Sequence, residues 1–333
     1  MLAIVCPGQG SQSPGFLAPW LEVPGVADRL DASSEASGTD LRAHGTTSDA
    51  DTIRDTAVAQ PLIVAASLAT LHAVLDPMIG EDGYAGLVGL TAGHSVGELA
   101  AAAVAGVLTD TAAVALVTER ARAMAAAAAL EPSGMSAVVG GDPEEVLAAI
   151  EAAGLFPANV NGGGQVVAAG SLEGLADLAA HPPAKARVIQ LQVAGAFHTP
   201  FMQPALDTFG PVAAGWSAAD PTLPFLSDAD GKVYPPSPDG SGQHGSGRDV
   251  LARLAAQIVA PVRWDLCQQT MAEAGVTGLL ELAPAGVLTG LARRTLPGVE
   301  TVAVKSPSDL EAARDLVRRH AGGPQTSTEE NPA

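Results

Sequence analysis

Leu87-Val88-Gly89-Leu90-Thr91-Ala92-Gly93-His94-Ser95-Val96-Gly97 reads as a buried strand, Leu87 to Thr91, running directly into a glycine-flanked serine, with a helix following from Val96. Gly-x-Ser-x-Gly between a strand and a helix sets the serine on a sharp turn, and the glycines two before and two after it relieve the crowding. Ser95 then projects into a cleft, where the Val96 N–H at the start of the helix can stabilise an oxyanion formed as the serine attacks a carbonyl. In a chain with 37 glycines such a pattern can arise by chance, but the strand before it and the helix after it favour a nucleophile.

Upstream, Leu2 to Cys6 reads as a second buried strand, and Pro7-Gly8-Gln9-Gly10-Ser11 as a tight loop at its C-terminal end, where ligands bind in open α/β sheets. The Gln9 backbone is a candidate second oxyanion donor. A polar stretch runs to about Asp55, and Ala57 to Leu75 reads as helix. Downstream, Leu99 to Val117 is broken by Gly106, Thr109, Asp110 and Thr111, so helix, turn, helix is expected there rather than a membrane span of about 20 apolar residues.

From about Leu130 to Val193 the elements shorten to strand, helix, strand, strand, helix, strand. The strands are Met135 to Val139, Phe156 to Val160, Gln165 to Ala169 and Arg187 to Val193. The first helix has Asp142 as N-cap, Pro143 at its first position and Glu145 placed to complete a capping box; the second starts at Ser171. That order fits a ferredoxin-like lobe. Strands at Leu223 to Leu226, Gly278 to Leu282 and Val299 to Val304 resume the larger pattern. The expected fold is therefore α/β: an α/β-hydrolase-like catalytic domain with a parallel sheet, residues 1–129 and 197–315, interrupted by a ferredoxin-like subdomain, 130–196. Gly231 to Gly247 reads as a surface loop, and 322–333 as a disordered tail.

The chain has 333 residues, 47% of them hydrophobic, enough for a large core without metals or disulfides. Cys6 and Cys267, its two cysteines, read as reduced core thiols. A net charge of −19 argues against nucleic acid as a partner. No basic leader precedes the short apolar N-terminus, so a cytoplasmic protein is expected, neither exported nor in a membrane.

A serine hydroxyl needs a base within hydrogen-bond reach. Of the seven histidines, His44, His181, His244 and His320 fall in polar loops or the terminal region, His72 sits on an apolar helix, and His94, next to Ser95, should point elsewhere. His198 remains, at a strand end with Thr199 as N-cap and Pro200 as first helical residue. No Asp or Glu between Ser95 and His198 is placed to complete a hydrolase triad. A Ser-His dyad is expected, its imidazole oriented by a backbone carbonyl or by an amide such as Gln257.

Together, Pro7-Gly8-Gln9-Gly10-Ser11-Gln12, Gln60-Pro61, Gly93 to Glu98, Arg120, Ala158-Asn159-Val160-Asn161, Gly195-Ala196-Phe197-His198, Gln257 with Pro261 to Trp264, and Leu288 to Leu291 resemble the malonyl-coenzyme A:acyl carrier protein transacylases. The resemblance runs nearly end to end. It implies transfer of malonyl from malonyl-CoA to the phosphopantetheine thiol of an acyl carrier protein through an ester on Ser95. It implies His198 as general acid/base, Gln9 and Val96 as oxyanion donors, and Gln257 orienting His198 through its backbone carbonyl. Arg120 corresponds to the arginine that binds the malonyl carboxylate; Gln60, His94, Asn159, Asn161 and Phe197 are the further substrate-site positions. A Phe directly before the histidine accompanies malonyl rather than methylmalonyl, for steric reasons. No metal or other cofactor is implied, and a monomer is expected. Lys185 and Arg187 are candidate contacts to an acidic carrier. The rivals are a serine hydrolase or thioesterase on the same turn, and a non-catalytic subunit that docks carrier protein.

Overall fold

Ten strands divide between two sheets in a computed structural model that describes residues 1–236 and 246–321. They are β1 (Leu2–Cys6), β2 (Leu90–Gly93), β3 (Ser133–Gly140), β4 (Phe156–Gly162), β5 (Gln165–Ser171), β6 (Ala186–Gln190), β7 (Phe225–Leu226), β8 (Val233–Tyr234), β9 (Gly278–Glu281) and β10 (Glu300–Ala303). The larger sheet has the order β10-β9-β1-β2-β7-β8, parallel throughout except for the β7–β8 pair. Chain order runs outward from β1 in both directions, and the segments that follow the C-terminal ends of β1, β2 and β9 border one crevice. β1 and β2 are buried along their whole length, which is why they are apolar runs without alternation.

The smaller sheet, β4-β5-β3-β6, is antiparallel, and its chain order of strand, helix, two strands, helix, strand is ferredoxin-like. The main chain enters it from one α/β unit and returns to the same sheet at β7.

The helices are α1 (Val26–Ser37), α2 (Leu41–Thr46), α3 (Ala50–Arg54), α4 (Thr56–Leu75), α5 (Gly97–Val104), α6 (Asp110–Ala128), α7 (Pro143–Ala152), α8 (Leu172–Ala180), α9 (Gln203–Gly215), α10 (Gly247–Ala256), α11 (Trp264–Glu273), α12 (Val287–Thr295) and α13 (Leu310–His320). Residues Thr56–Met78, α4 and its extension, are long and apolar enough to cross a membrane, but 83% of the most apolar window is buried inside the protein. α4 packs on α1, α5, α6 and α13, so apolar residues surround it on all sides.

Several boundaries differ from the sequence expectation. The strand before Ser95 starts at Leu90 rather than Leu87, because the Leu87 and Val88 amides donate to the Tyr84 carbonyl and close a turn first. β6 ends at Gln190 rather than Val193: its partner strand β3 pairs no further than Ser136 opposite Gln190, and the Leu191 amide makes one last bond to the Met135 carbonyl. The stretch before Asp55, read as merely polar, holds three helices. Asp142 accepts from the Glu144 and Glu145 amides as expected of an N-cap, without the return bond from Glu145 that a capping box needs. His44 lies in α2 rather than in a loop, and His320, in the terminal region as expected, ends α13. The stretch Gly231 to Gly247, expected to be loop, holds β8, which pairs with β7, and opens α10 at Gly247; His244, the rest of 237–245 and the 322–333 tail lie outside the described residues.

Candidate active site

The turn at Ser95 is closed by its glycines. A Cβ on Gly93 would stand 2.1 Å from the Gly97 carbonyl carbon, and one on Gly97 would stand 2.2 Å from the Cys6 carbonyl oxygen. Strand, turn and helix therefore pack with no room for a side chain at either position, and Ser95 is held at φ 54, a left-handed conformation that non-glycine residues seldom adopt. Gly97→Ala is expected to cost about 3 kcal/mol or more by forcing backbone apart. A melting curve checks this: the thermal midpoint should fall by roughly 4 °C or more, whereas a variant that melts with the wild type would mean the turn is loosely packed.

Ser95 Oγ lies 2.6 Å from His198 Nε2, although 103 positions separate the two residues. The other ring nitrogen, Nδ1, is 3.0 Å from the Gln257 main-chain oxygen. With a carbonyl as its partner Nδ1 must carry the proton, leaving Nε2 free to accept the serine hydroxyl proton. Burial first, then the Arg120 charge, push the imidazole down to about 3. A depressed value means the ring stays neutral as pH falls. A carboxylate docked on Arg120 would offset the second cause but not the first. An unperturbed imidazole, near 6.5, would be about 90% protonated at pH 5.5. The kcat/KM for acylation of Ser95 is thus expected to stay flat from pH 8 to about 5.5; a tenfold fall centred near 6.5 would contradict the buried, neutral base.

Arg120, on α6, is 1% exposed. Its Nη1 donates to Gln60 Oε1 at 2.6 Å and its Nη2 to Gln257 Oε1 at 2.9 Å, while its Nε has no protein partner among the described residues. Burial lowers the guanidinium to about 10, still charged at neutral pH. Two neutral amides hold this cation without cancelling it.

One cavity of about 270 Å³ is lined by Ser95, His198, Arg120, Gln60, Gln9 and Val96, and also by His94, Asn159, Asn161 and Phe197. Gln257 stands behind His198 and Arg120. Among the described residues neither the Gln9 nor the Val96 amide donates a hydrogen bond, whereas the Ser95 amide is already engaged. His94 turns from the serine: its Nε2 is 2.8 Å from Asn161 Oδ1, and its ring packs against Trp264. Asn161 is held in turn by Gln165, and the buried Asn159 Oδ1 lacks a partner among the described residues. Lys185 and Arg187 are exposed, at the start of edge strand β6 and away from the cavity.

Two acids escaped the sequence reading. Asp228, just after β7, accepts from the Ser95 amide at 2.6 Å and from Gln257 Nε2 at 2.7 and 3.0 Å; its own amide donates to Glu98 Oε1 at 2.8 Å. Both carboxyls are fully buried. Burial and then the Asp228 charge push Glu98 well above the usual carboxylate range; burial also raises Asp228, opposed by the donors around it. A search for an acid between Ser95 and His198 could not find Asp228, which follows His198 in the chain. The usable signal was Ser227-Asp228 at the C-terminal end of a strand.

An acyl transferase domain model matches residues 3–310. The malonyl CoA-acyl carrier protein transacylase of Mycobacterium tuberculosis is 50% identical over 95% of this chain and 100% of its own length. The crystal structure of MCAT from that organism superposes with a TM-score of 0.86 at 50% identity, covering 94% of this chain and 99% of the other. A malonyl-transacylase solved in complex with its type II PKS acyl-carrier protein superposes at 0.84 with 29% identity, over 94% of this chain and 99% of the other. With the domain model spanning nearly the whole chain and half of its aligned residues shared with such a relative, the chain belongs to the malonyl CoA-acyl carrier protein transacylases of the acyl transferase family.

Proposed function

We propose that the chain moves malonyl from coenzyme A to the phosphopantetheine thiol of an acyl carrier protein by a ping-pong route through a Ser95 ester. The observation that carries this is a fully buried guanidinium, Arg120, held among the described residues only by amides, in the same cavity as the Ser95–His198 pair. A planar guanidinium pairs with a carboxylate through two parallel hydrogen bonds, so Arg120 fixes the free end of a diacid and leaves its thioester carbonyl at the serine.

In the first half, His198 Nε2 takes the hydroxyl proton as Ser95 Oγ attacks the thioester carbonyl, and the Gln9 and Val96 amides receive the oxyanion. The C–S bond breaks and the departing coenzyme A thiolate takes the proton back from the imidazolium, whose burial disfavours the charged form. In the second half the carrier thiol gives its proton to His198 and attacks the ester. Ser95 leaves as an alkoxide and is reprotonated by the same imidazolium. No step calls for a metal or another cofactor, so none is included in the proposal. Phe197, walling the cavity beside His198, restricts room for an α-methyl group; Gln60, Asn159 and Asn161 shape and hold the substrate side.

The proposal extends to organisation: residues 1–129 with 197–315 form the catalytic domain, 130–196 the inserted lobe, and the protein acts as a cytoplasmic monomer whose Lys185 and Arg187 meet an acidic carrier. It supplies extender units for fatty-acid or polyketide synthesis. Purified protein mixed with malonyl-CoA and a phosphopantetheinylated carrier is expected to load the carrier faster than it releases free malonate. Rapid hydrolysis without carrier loading would instead identify a thioesterase, and no acyl-enzyme at all a docking subunit.

A further inference from the structure

The imidazole of His198 faces a main-chain carbonyl, yet a buried carboxylate, Asp228, touches the Ser95 amide directly and reaches both His198 and Arg120 through one residue, Gln257. Asp228 Oδ2 accepts from the Ser95 amide at 2.6 Å, and both carboxylate oxygens accept from Gln257 Nε2. Gln257 in turn accepts from Arg120 Nη2 with its side-chain oxygen and from His198 Nδ1 with its main-chain oxygen. Asp228 is itself fixed from two sides, by Glu98 Oε1 on its amide and by the Arg263 amide on its carbonyl.

We infer that Asp228 is the positioning residue of this site: a single carboxylate that holds the nucleophile's backbone and, through Gln257, sets both the base and the carboxylate clamp. The inference rests on reading Ser95 and His198 as nucleophile and base.

Three consequences follow from donor and acceptor chemistry. The Ser95 amide points at Asp228, so it cannot serve the oxyanion, and that task is left to other amides. The acceptor on Asp228 also decides which way the Gln257 amide faces. With Nε2 bound to the carboxylate, Oε1 must meet Arg120; a flipped amide would set two donors against the guanidinium. Finally, Asp228 and Arg120, linked through one glutamine, let a buried cation persist before substrate arrives, because the countercharge is near but not in contact.

An asparagine at 228 keeps the size but offers only one acceptor oxygen, so its NH2 must face either the Ser95 amide or Gln257 Nε2, donor against donor. The test is Asp228→Asn, with Asp228→Ser as a smaller variant in case the first folds poorly. Rates are referred to correctly folded molecules counted by circular dichroism and gel filtration. For both variants, kcat for malonyl transfer is expected to fall roughly 10- to 100-fold, the effect of losing hydrogen bonds to a charged group. Acetyl transfer should fall as well, because the nucleophile is misplaced for any acyl group, and malonyl transfer should fall further with a raised KM for malonyl-CoA, because the clamp set through Gln257 is disturbed too. A purely structural residue would lower the yield of folded protein and leave kcat per folded molecule unchanged; that result overturns the inference. A loss confined to malonyl, sparing acetyl, overturns it as well, since it would place Asp228 in the clamp alone. Wild-type protein that forms no malonyl ester at Ser95 refutes the underlying assignment instead, so the two failures are told apart.

Discussion

Ser95→Ala is expected to lower kcat for malonyl transfer by at least about 10⁴-fold, with the fold intact and malonyl-CoA binding largely kept. On the proposed route Ser95 Oγ is the atom that carries the acyl group between two thiols. Without it His198 has no hydroxyl to activate, since its Nε2 stands 2.6 Å from that oxygen. What remains is the cavity, the Arg120 charge and two free amides, which can bind substrate but cannot form the ester. Transfer assays on the variant, with calorimetric binding as a control, check this; residual turnover within about 100-fold of the wild type would assign the acyl group to another atom.

Arg120→Ala is expected to invert the preference between acyl groups. Two hydrogen bonds from a buried guanidinium to a carboxylate contribute roughly 1.5–3 kcal/mol each, so malonyl should lose about two to four decades in kcat/KM relative to acetyl. Acetyl transfer should be spared or improved, because acetyl brings no carboxylate to a site whose cation has gone. Arg120→Lys should recover only part of the loss: its charge remains, but a single ammonium cannot make the paired contact. Competition between malonyl-CoA and acetyl-CoA reads the ratio directly, and an equal loss for both would contradict the clamp.

The fold was legible where burial and turn chemistry act locally. β1 and β2 are short apolar runs because both faces are covered, and Gly93 and Gly97 mark the turn because any larger residue would strike backbone. The four short strands and two helices of the small lobe show their own caps at Asp142 and Ser171. The stretch before Asp55 was not legible from its hydrophobic content, which is sparse. Yet Asp40, Asp49 and Asp55 each cap a following helix, accepting from Ala43, Thr52 and Ala57, and that signal of spaced aspartates passed unread. The end of β6 was hidden for another reason: where a strand stops depends on how far its partner reaches, which is not written in the strand itself.

Within the site, residues carried by sharp local motifs were nameable from sequence, as with Ser95 in its turn and His198 at a strand end. Arg120 came only from the resemblance, because an arginine between Glu119 and Ala121 on a helix looks like solvated charge until burial is known. Asp228 and Glu98 stayed hidden because their importance lies in contact. Glu98 reads as a first-turn acid beside a helix N-terminus, whereas it is fully buried against an aspartate 130 positions away.

The most direct measurement is intact mass followed by peptide mapping of protein mixed with malonyl-CoA in the absence of carrier. One malonyl group should appear, on the peptide containing Ser95, persist at pH 7 for longer than a turnover, and vanish when a phosphopantetheinylated carrier is added. Malonate released to water with no such adduct, or an adduct on any other residue, would contradict the account.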